Sequence, residues 1–157
     1  MPPKKSMRAA VRMDDVMIDL ETLDTAVTGV ILSIGACRLD ANEIANDGFY
    51  RKITIESNMD EGRTISPNTL RWWMQQSDAA RESAFSAPGA IPLGQALDEL
   101  REWLGTDKIS RENMRPYGNG ADFDISMLAH AYGQQGTPWQ FYNVRCYRTI
   151  KSEPRFK

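Results

Sequence analysis

The first third of the chain contains three apolar stretches whose patterns predict β-strands. We expect the first strand over 16–23, the second over 30–37 and the third over 49–55. A loop rich in Asp, Thr and Gly at 24–29 separates the first two strands, and a polar turn at 40–48 separates the second from the third. Because the three strands follow one another through short connections, they predict an antiparallel meander.

The rest of the chain changes to a helical pattern. Ser66 followed by Pro67 is typical of a helix start, and we expect this helix to run through Met74. A second helix is expected over 93–104, where apolar residues recur at helical spacing. The remaining predicted elements are a short strand near 115–118, a third helix from about Asp122 and a fifth strand over 141–147. Together these elements predict an α/β fold with a mixed five-stranded sheet flanked by helices.

Length and composition fit one globular domain. The chain has 157 residues, of which 41% are hydrophobic and 25% charged. We interpret 1–12 as a flexible basic arm and 13–157 as a single domain. No apolar run approaches the ~20 residues that a membrane-spanning helix needs, so we expect no membrane partner. Two cysteines, Cys37 and Cys146, are too few for a disulfide framework and favour a reducing cytoplasm.

Charge is distributed unevenly along the chain. Residues 1–12 and 141–157 are both basic, whereas 13–140 holds ten basic and twenty acidic side chains. Such an acidic body argues against nonspecific coating of nucleic acid, which depends on many phosphate contacts. It remains compatible with a site in which divalent cations carry the positive charge. The basic ends are either solvated termini or segments that contact a polyanion.

An acidic pair in the first predicted strand is the most informative feature of the sequence. Asp19 and Glu21 are two positions apart, so both carboxylates project from the same face of the strand. Their neighbours along the strand are apolar, and two like charges in such a setting repel each other and lose hydration. A divalent cation between them would relieve both effects. The alternative is a strand pair that simply faces solvent.

A second acidic segment lies where a strand ends and a helix begins. Residues 118–120 form a Gly-Asn-Gly turn, and Asp122 and Asp124 follow it. Either acid could serve only to stabilise the start of the helix. In the functional interpretation, Asp124 faces Asp19 and Glu21 across the sheet. Three converging carboxylates could then hold two Mg²⁺ or Mn²⁺ ions that clamp a phosphate and activate a water.

The order and spacing of these motifs resemble a known enzyme family. Residues 19–22 (Asp-Leu-Glu-Thr) and 119–124 (Asn-Gly-Ala-Asp-Phe-Asp) resemble motifs I and II of the DEDD superfamily of 3′–5′ exonucleases. The Trp72-Trp73 pair is similar to one in the branch of ribonuclease T, oligoribonuclease and related phage or prophage exoribonucleases. The resemblance implies a ribonuclease H-like fold and a two-ion site for Mg²⁺ or Mn²⁺. It also implies removal of nucleotides from the 3′ end of RNA or single-stranded DNA, and relatives of this type are commonly homodimers.

The resemblance also assigns candidate residues. It implies that Asp19, Glu21 and Asp124 are the catalytic and metal-binding residues. The candidate substrate-binding residues are Leu20, Thr22, Leu23, Trp72 and Asn119. Trp73 is expected in the core. Trp72 either stacks on a base or packs against a neighbouring loop or subunit.

One part of the family pattern is absent from this chain. Members carry a third motif after the fifth strand, His-x-x-x-x-Asp or Tyr-x-x-x-Asp, and no Asp follows Asp124 here. We therefore expect the domain to be incomplete at its C-terminal end and the second ion to be in doubt. The single histidine, His130, lies six residues after Asp124 and faces away from it around the helix, so we interpret it as structural.

The sequence therefore predicts a metal-dependent 3′–5′ exonuclease. Two alternatives stay open at this point: an inactive domain that binds metal or nucleic-acid ends without cleavage, and an endonuclease on the same fold. The sequence alone does not decide between RNA and DNA.

Overall fold

The computed structural model describes residues 13–40 and 42–156. Within them five strands form: β1 (Asp15–Thr22), β2 (Ile31–Leu39), β3 (Phe49–Lys52), β4 (Arg115–Gly118) and β5 (Arg145–Cys146). They make one sheet in the order β3-β2-β1-β4-β5. The pairs β1·β2 and β2·β3 are antiparallel, whereas β4 runs parallel to β1 and β5 parallel to β4. The prediction of an α/β fold with a mixed five-stranded sheet is confirmed, and this topology is consistent with a ribonuclease H-like exonuclease.

Helices join and flank the strands. They are α1 (Ile55–Asp60), α2 (Pro67–Met74), α3 (Asp78–Phe85), α4 (Leu93–Leu104), α5 (Lys108–Asn113), α6 (Asp124–Tyr132) and α7 (Tyr147–Ser152). The boundaries of α4 agree with the predicted helix over 93–104. Ser66 caps α2 as predicted, because its side chain accepts a hydrogen bond from the Thr69 N–H. None of the helices in the described part of the chain is long and apolar enough to cross a membrane.

The third strand is shorter than predicted. It ends at Lys52, and Ile55 begins α1 instead of closing the strand. The reason is Asn58 of α1, which is fully buried and hydrogen-bonds both backbone groups of Ile31, with its Oδ1 2.9 Å from the N–H and its Nδ2 3.0 Å from the oxygen. This side chain fastens α1 to the start of β2. An amide that satisfies backbone groups elsewhere in the chain is not visible in a local pattern.

The fifth strand is also shorter than predicted over 141–147. Only Arg145 and Cys146 pair with β4, opposite Tyr117 and Gly118. The preceding Phe141–Asn143 is a 3₁₀ turn, and Tyr147 already belongs to α7. Because β4 ends at Gly118, it offers no partner for Tyr147. The predicted basic arm at 1–12 lies outside the described residues.

The main core lies on one face of the sheet. Val16, Ile18 and Leu20 alternate along β1, are at most 6% exposed, and join a cluster with the buried residues of α4 and α6. Burial of each such side chain contributes roughly 1.5–3 kcal/mol. The intervening side chains of β1, including Asp19 and Glu21, therefore point to the opposite face. A second, smaller cluster of Leu23, Val30, Leu32 and Trp73 packs beyond the end of β1.

Candidate active site at the end of the central strand

The two carboxylates of β1 lie on the sheet face that the main core leaves open. Asp19 is exposed and Glu21 is half-buried. Partial desolvation of the carboxylate raises the pKa of Asp19. Desolvation also raises the pKa of Glu21, and the negative charges of Asp19 and Asp124 raise it further. The three acids are therefore close enough for their charges to interact.

Asp124 reaches this group through the tight turn after β4. Gly120 adopts a φ of 130°, a backbone conformation that favours glycine. Gly118 allows the close approach, because a Cβ at this position would lie 3.2 Å from Asp124 Oδ2 and 3.1 Å from the Cα of Ala121. The residue types of the turn thus bring the first residue of α6 against the end of β1.

A hydrogen bond fixes Asp124 to the acidic strand. The Leu20 N–H donates to Asp124 Oδ1 at 3.2 Å. The pairing of β1 with β4 ends at Met17 and Tyr117, so the carboxylate satisfies an amide beyond the end of the ladder. Asp124 is only 4% exposed.

Burial is the largest cause of a shift that raises the pKa of Asp124 to about 6. The hydrogen bond from Leu20 lowers this pKa, the charge of Asp19 raises it, and the charge of Arg148 lowers it. The raised pKa reflects a carboxylate that is largely removed from water and lies near another negative charge.

The donor set suits a hard divalent cation, because carboxylate oxygens are the ligands that Mg²⁺ and Mn²⁺ prefer. Desolvation raises the pKa of all three acids, and repulsion between carboxylates raises it further at Glu21 and Asp124. A bound cation would relieve both effects. Within residues 13–40 and 42–156, no three acidic, histidine or cysteine side chains already form a group that could hold a metal ion. Cation binding at this place therefore requires the carboxylates to turn toward one another.

A cavity of about 470 Å³ opens directly beside Glu21. Its lining includes Leu20 and Thr22 from β1 and three aromatic side chains, Trp72, Trp73 and Phe123. Its remaining lining residues are Thr25, Ser66, Asn68 and Thr69, most of them from the start of α2. Aromatic walls with a few hydroxyl and amide groups are typical of a small-molecule or nucleoside site.

The two tryptophans have different roles. Trp73 is 5% exposed, and its Nε1–H donates to the Thr22 backbone oxygen at 2.9 Å, which fixes the end of β1. Trp72 is 52% exposed and meets Trp73 edge to face, with the ring centroids 5.0 Å apart. The prediction that Trp73 is a core residue is confirmed. Leu70 and Met74 of the same helix are exposed, because only the Trp73 side of this short helix faces the second core cluster.

The structure does not bring every predicted residue to the cavity. Leu23 is 1% exposed and packs in the second core cluster, so it supports the site from beneath and does not line it. Asn119 is exposed in the turn after β4, where its backbone oxygen accepts a hydrogen bond from Arg148 at 2.9 Å. His130 is exposed, and its Nδ1 lies 3.4 Å from Arg63 Nη1.

Sequence reasoning missed two neighbours of the site. Phe123 lines the cavity immediately before Asp124, and its place in the matched motif was the signal that could have identified it. Arg148 lies beside the 118–124 turn and acts electrostatically on Asp124. No local pattern indicated Arg148, because α7 brings it there from another part of the chain.

Comparison with known families identifies the family of the domain. Residues 14–155 match the model of a family described as the 3′-5′ exoribonuclease Rv2179c-like domain. The chain belongs to this family. The prediction of a 3′–5′ exonuclease family is thus confirmed, and the match covers every strand and helix described above. Among curated proteins, no match to this Rv2179c-like domain was found.

Proposed function

We propose that this chain removes nucleotides from the 3′ end of RNA in a reaction that depends on Mg²⁺ or Mn²⁺. The observation that carries the proposal is that three carboxylates at the end of β1 lie close enough for their charges to interact, and that one of them, Glu21, lines a cavity of about 470 Å³. Membership of an exoribonuclease-like family supports RNA over single-stranded DNA. The open sheet face beside the acids supports an unpaired end as the substrate.

Asp19, Glu21 and Asp124 are the residues that we assign to the cation site. A bound cation would stabilise charge on the scissile phosphate and lower the pKa of a coordinated water, as in two-metal nucleases. The Leu20 N–H holds Oδ1 of Asp124, which makes Oδ2 the ligand atom that we propose for this residue. The bond from Trp73 to Thr22 keeps the end of β1 in place while the carboxylates turn.

The cavity beside Glu21 is the proposed place of the terminal nucleoside. Trp72 has an exposed ring on which the base can stack, a contact worth ~1–3 kcal/mol. Leu20 and Thr22 would contact the same nucleotide from β1. The hydroxyls of Ser66 and Thr69 are the groups that we propose for recognition of the ribose.

Assignment to the DEDD exonucleases rests on the acidic motifs of β1 and of the turn before α6. The third motif of that superfamily has no counterpart after Asp124, and the single histidine contacts Arg63. Asp19, Glu21 and Asp124 are therefore the entire acidic set that we assign to the reaction. The activity assay tests whether these three acids are sufficient for the reaction.

The direct test uses an RNA oligonucleotide labelled at its 5′ end, with Mg²⁺ or Mn²⁺ and then with EDTA. We expect a ladder that shortens from the 3′ end only when a cation is present. Asp19→Asn, Glu21→Gln and Asp124→Asn should each reduce the rate by at least a hundredfold. Asp122→Asn is the matched control, because Asp122 is an exposed acid two residues from Asp124, and it should keep the wild-type rate.

Other outcomes separate the alternatives. Binding of RNA without shortening would contradict the proposed activity and leave a binding domain. Cuts in a circular RNA would indicate an endonuclease, because an exonuclease needs an end. A DNA oligonucleotide of the same sequence, degraded faster than RNA, would overturn the substrate assignment. The homodimer that we propose from the resemblance is tested by sedimentation at the assay concentration.

A further inference from the structure

A row of residues leads across the open face of the sheet, away from the acids. Asp19 pairs with Gly35 of β2, and Gly35 pairs with Tyr50 of β3. Residues paired in this way point to the same face of a sheet, so Tyr50 shares the face of Asp19 and Glu21. The backbones of β1 and β3 are two strand spacings apart, about 10 Å.

Gly35 of β2 lies between Asp19 of β1 and Tyr50 of β3 and has no side chain. A Cβ at this position would lie 3.9 Å from the Asp19 backbone oxygen and 3.9 Å from Cδ2 of Tyr50. The tyrosine ring therefore borders the backbone of Gly35, and no side chain of β2 separates it from Asp19. Tyr50 is 51% exposed, so the ring offers a surface to a ligand.

A second cavity connects this ring with the acids. It has a volume of about 140 Å³, and its lining includes Glu21, Tyr50 and the buried Trp73. Ser33 and three residues of α3 complete the lining: Ala80, Ser83 and Ala84. Glu21 also lines the larger cavity that contains Trp72. One carboxylate of the cation site thus borders two cavities, and each cavity has a half-exposed aromatic ring.

We propose that Tyr50 is the stacking platform for the base on the 5′ side of the cleaved bond. This inference rests on the proposed function, which assigns the terminal nucleoside to the Trp72 cavity. The scissile phosphate would then lie at Glu21, between the two rings. Stacking on an aromatic face is tolerant of base identity and requires an unpaired strand. The nearby cation of β3, Lys52, donates to Ser86 Oγ at 2.8 Å, and we assign it no contact with the substrate.

The test compares removal of the ring with removal of the base. Affinity for a fluorescent RNA oligonucleotide is measured by anisotropy in Ca²⁺, so that the readout does not require turnover. A second oligonucleotide carries an abasic residue at the penultimate position. We expect Tyr50→Ala and Tyr50→Leu each to weaken binding of the intact oligonucleotide about tenfold, within the range for base stacking. For the abasic oligonucleotide, the affinity of both variants should equal the affinity of wild type for that same oligonucleotide.

Two control variants separate stacking from other roles. Tyr50→Phe keeps the ring and should bind like wild type, whereas a loss there would assign the role to the hydroxyl and overturn the inference. Tyr142→Ala removes another exposed tyrosine, from the 3₁₀ turn before β5, and should leave affinity unchanged. Thermal unfolding of each variant shows whether the fold is retained, and Tyr50→Leu replaces the alanine variant if that protein unfolds.

The outcomes keep the two proposals apart. If wild type binds and shortens RNA but the Tyr50 variants bind both oligonucleotides as wild type does, the inference fails and the proposed function stands. Equal weakening against the intact and the abasic oligonucleotide would also overturn the inference, because the ring would not act through that base. If wild type neither binds nor shortens RNA, the proposed function fails and the inference fails with it.

Discussion

Gly118 is the position where one added methyl group should disturb the site most directly. This glycine ends β4 and lies beneath Asp124. In Gly118→Ala the new Cβ would lie 3.1 Å from the Cα of Ala121, 3.2 Å from Asp124 Oδ2 and 3.3 Å from Asp124 Cβ. All three contacts are shorter than ordinary van der Waals distances, and one involves backbone. The 118–124 turn must therefore shift.

The cost follows from two contributions. Overpacking a tight site costs ~1–3 kcal/mol. A shift of Asp124 also lengthens its hydrogen bond with the Leu20 N–H, which is already 3.2 Å long. Hydrogen bonds to charged groups contribute ~1.5–3 kcal/mol, of which a small displacement removes a part. We expect a total loss of about 2 kcal/mol, which lowers the melting temperature of a domain of this size by roughly 4–8 °C.

Thermal unfolding by circular dichroism measures this loss, and the cation-dependent RNA assay measures its effect on the site. Gly94→Ala is the matched control, since a Cβ at this position of α4 meets nothing within 4 Å. Alanine favours a helix over glycine by ~0.5–1 kcal/mol, so this variant should melt slightly higher than wild type. The two glycine substitutions thus have opposite predicted signs.

A melting temperature of Gly118→Ala within 1 °C of wild type (about the shift expected from a few tenths of a kcal/mol), with unchanged activity, would refute the packing argument. A lower melting temperature with unchanged activity would refute only the link between Asp124 and the reaction. Loss of activity with unchanged stability would mean that the turn moves without strain but displaces the carboxylate.

Three further predictions concern the electrostatics and support of the site. Because the folded pKa of Asp124 is about 6 against an ordinary 3.8, its ionisation opposes folding above pH ~6, and this penalty disappears as the pH falls below 3.8. In EDTA at pH 7, Asp124→Asn should therefore raise the free energy of unfolding, measured by urea titration, by up to roughly 3 kcal/mol. Added Mn²⁺ should raise the free energy of unfolding of wild type but not that of the variant. Arg148→Gln removes a charge that lowers the pKa of Asp124, so the acidic limb of the pH–rate profile should move to higher pH; a move to lower pH would contradict the assigned interaction. Trp73→Phe loses the hydrogen bond to the Thr22 oxygen, so it should lower the free energy of unfolding by about 1–3 kcal/mol and should also reduce activity. Trp72→Phe should leave the free energy of unfolding unchanged.

The elements that the sequence predicted well are those with a long periodic pattern. Helix α4 buries five residues along one stripe, and β1 alternates between core and open face over its whole length. Helices α1, α3, α5 and α7 were not predicted, because they have only six to eight residues and bury at most one side chain each. Such helices depend on caps and on contacts such as those of Asn58, which a local pattern does not reveal.

The candidate site was likewise predictable only in part. The approach of Asp124 to the acidic strand was predictable, since strand alternation and a glycine turn are both readable from residue types. Tyr50 and Arg148 were not predictable as neighbours of the acids. Their positions depend on the register of β2 with β3 and on the path of the chain after β5, and both are set by pairing between distant segments.

The acids themselves oppose the stability of the metal-free domain. Asp124 is 4% exposed and its pKa is raised to about 6, so its charged form is less stable in the folded chain than in the unfolded one. Glu21 is penalised further by both neighbouring charges. A glycine at 118 with no room for a side chain, and a glycine at 120 with positive φ, nevertheless hold this arrangement in place. Because several residues maintain a geometry that lowers stability, the arrangement supports the proposed cation-binding role of the carboxylates.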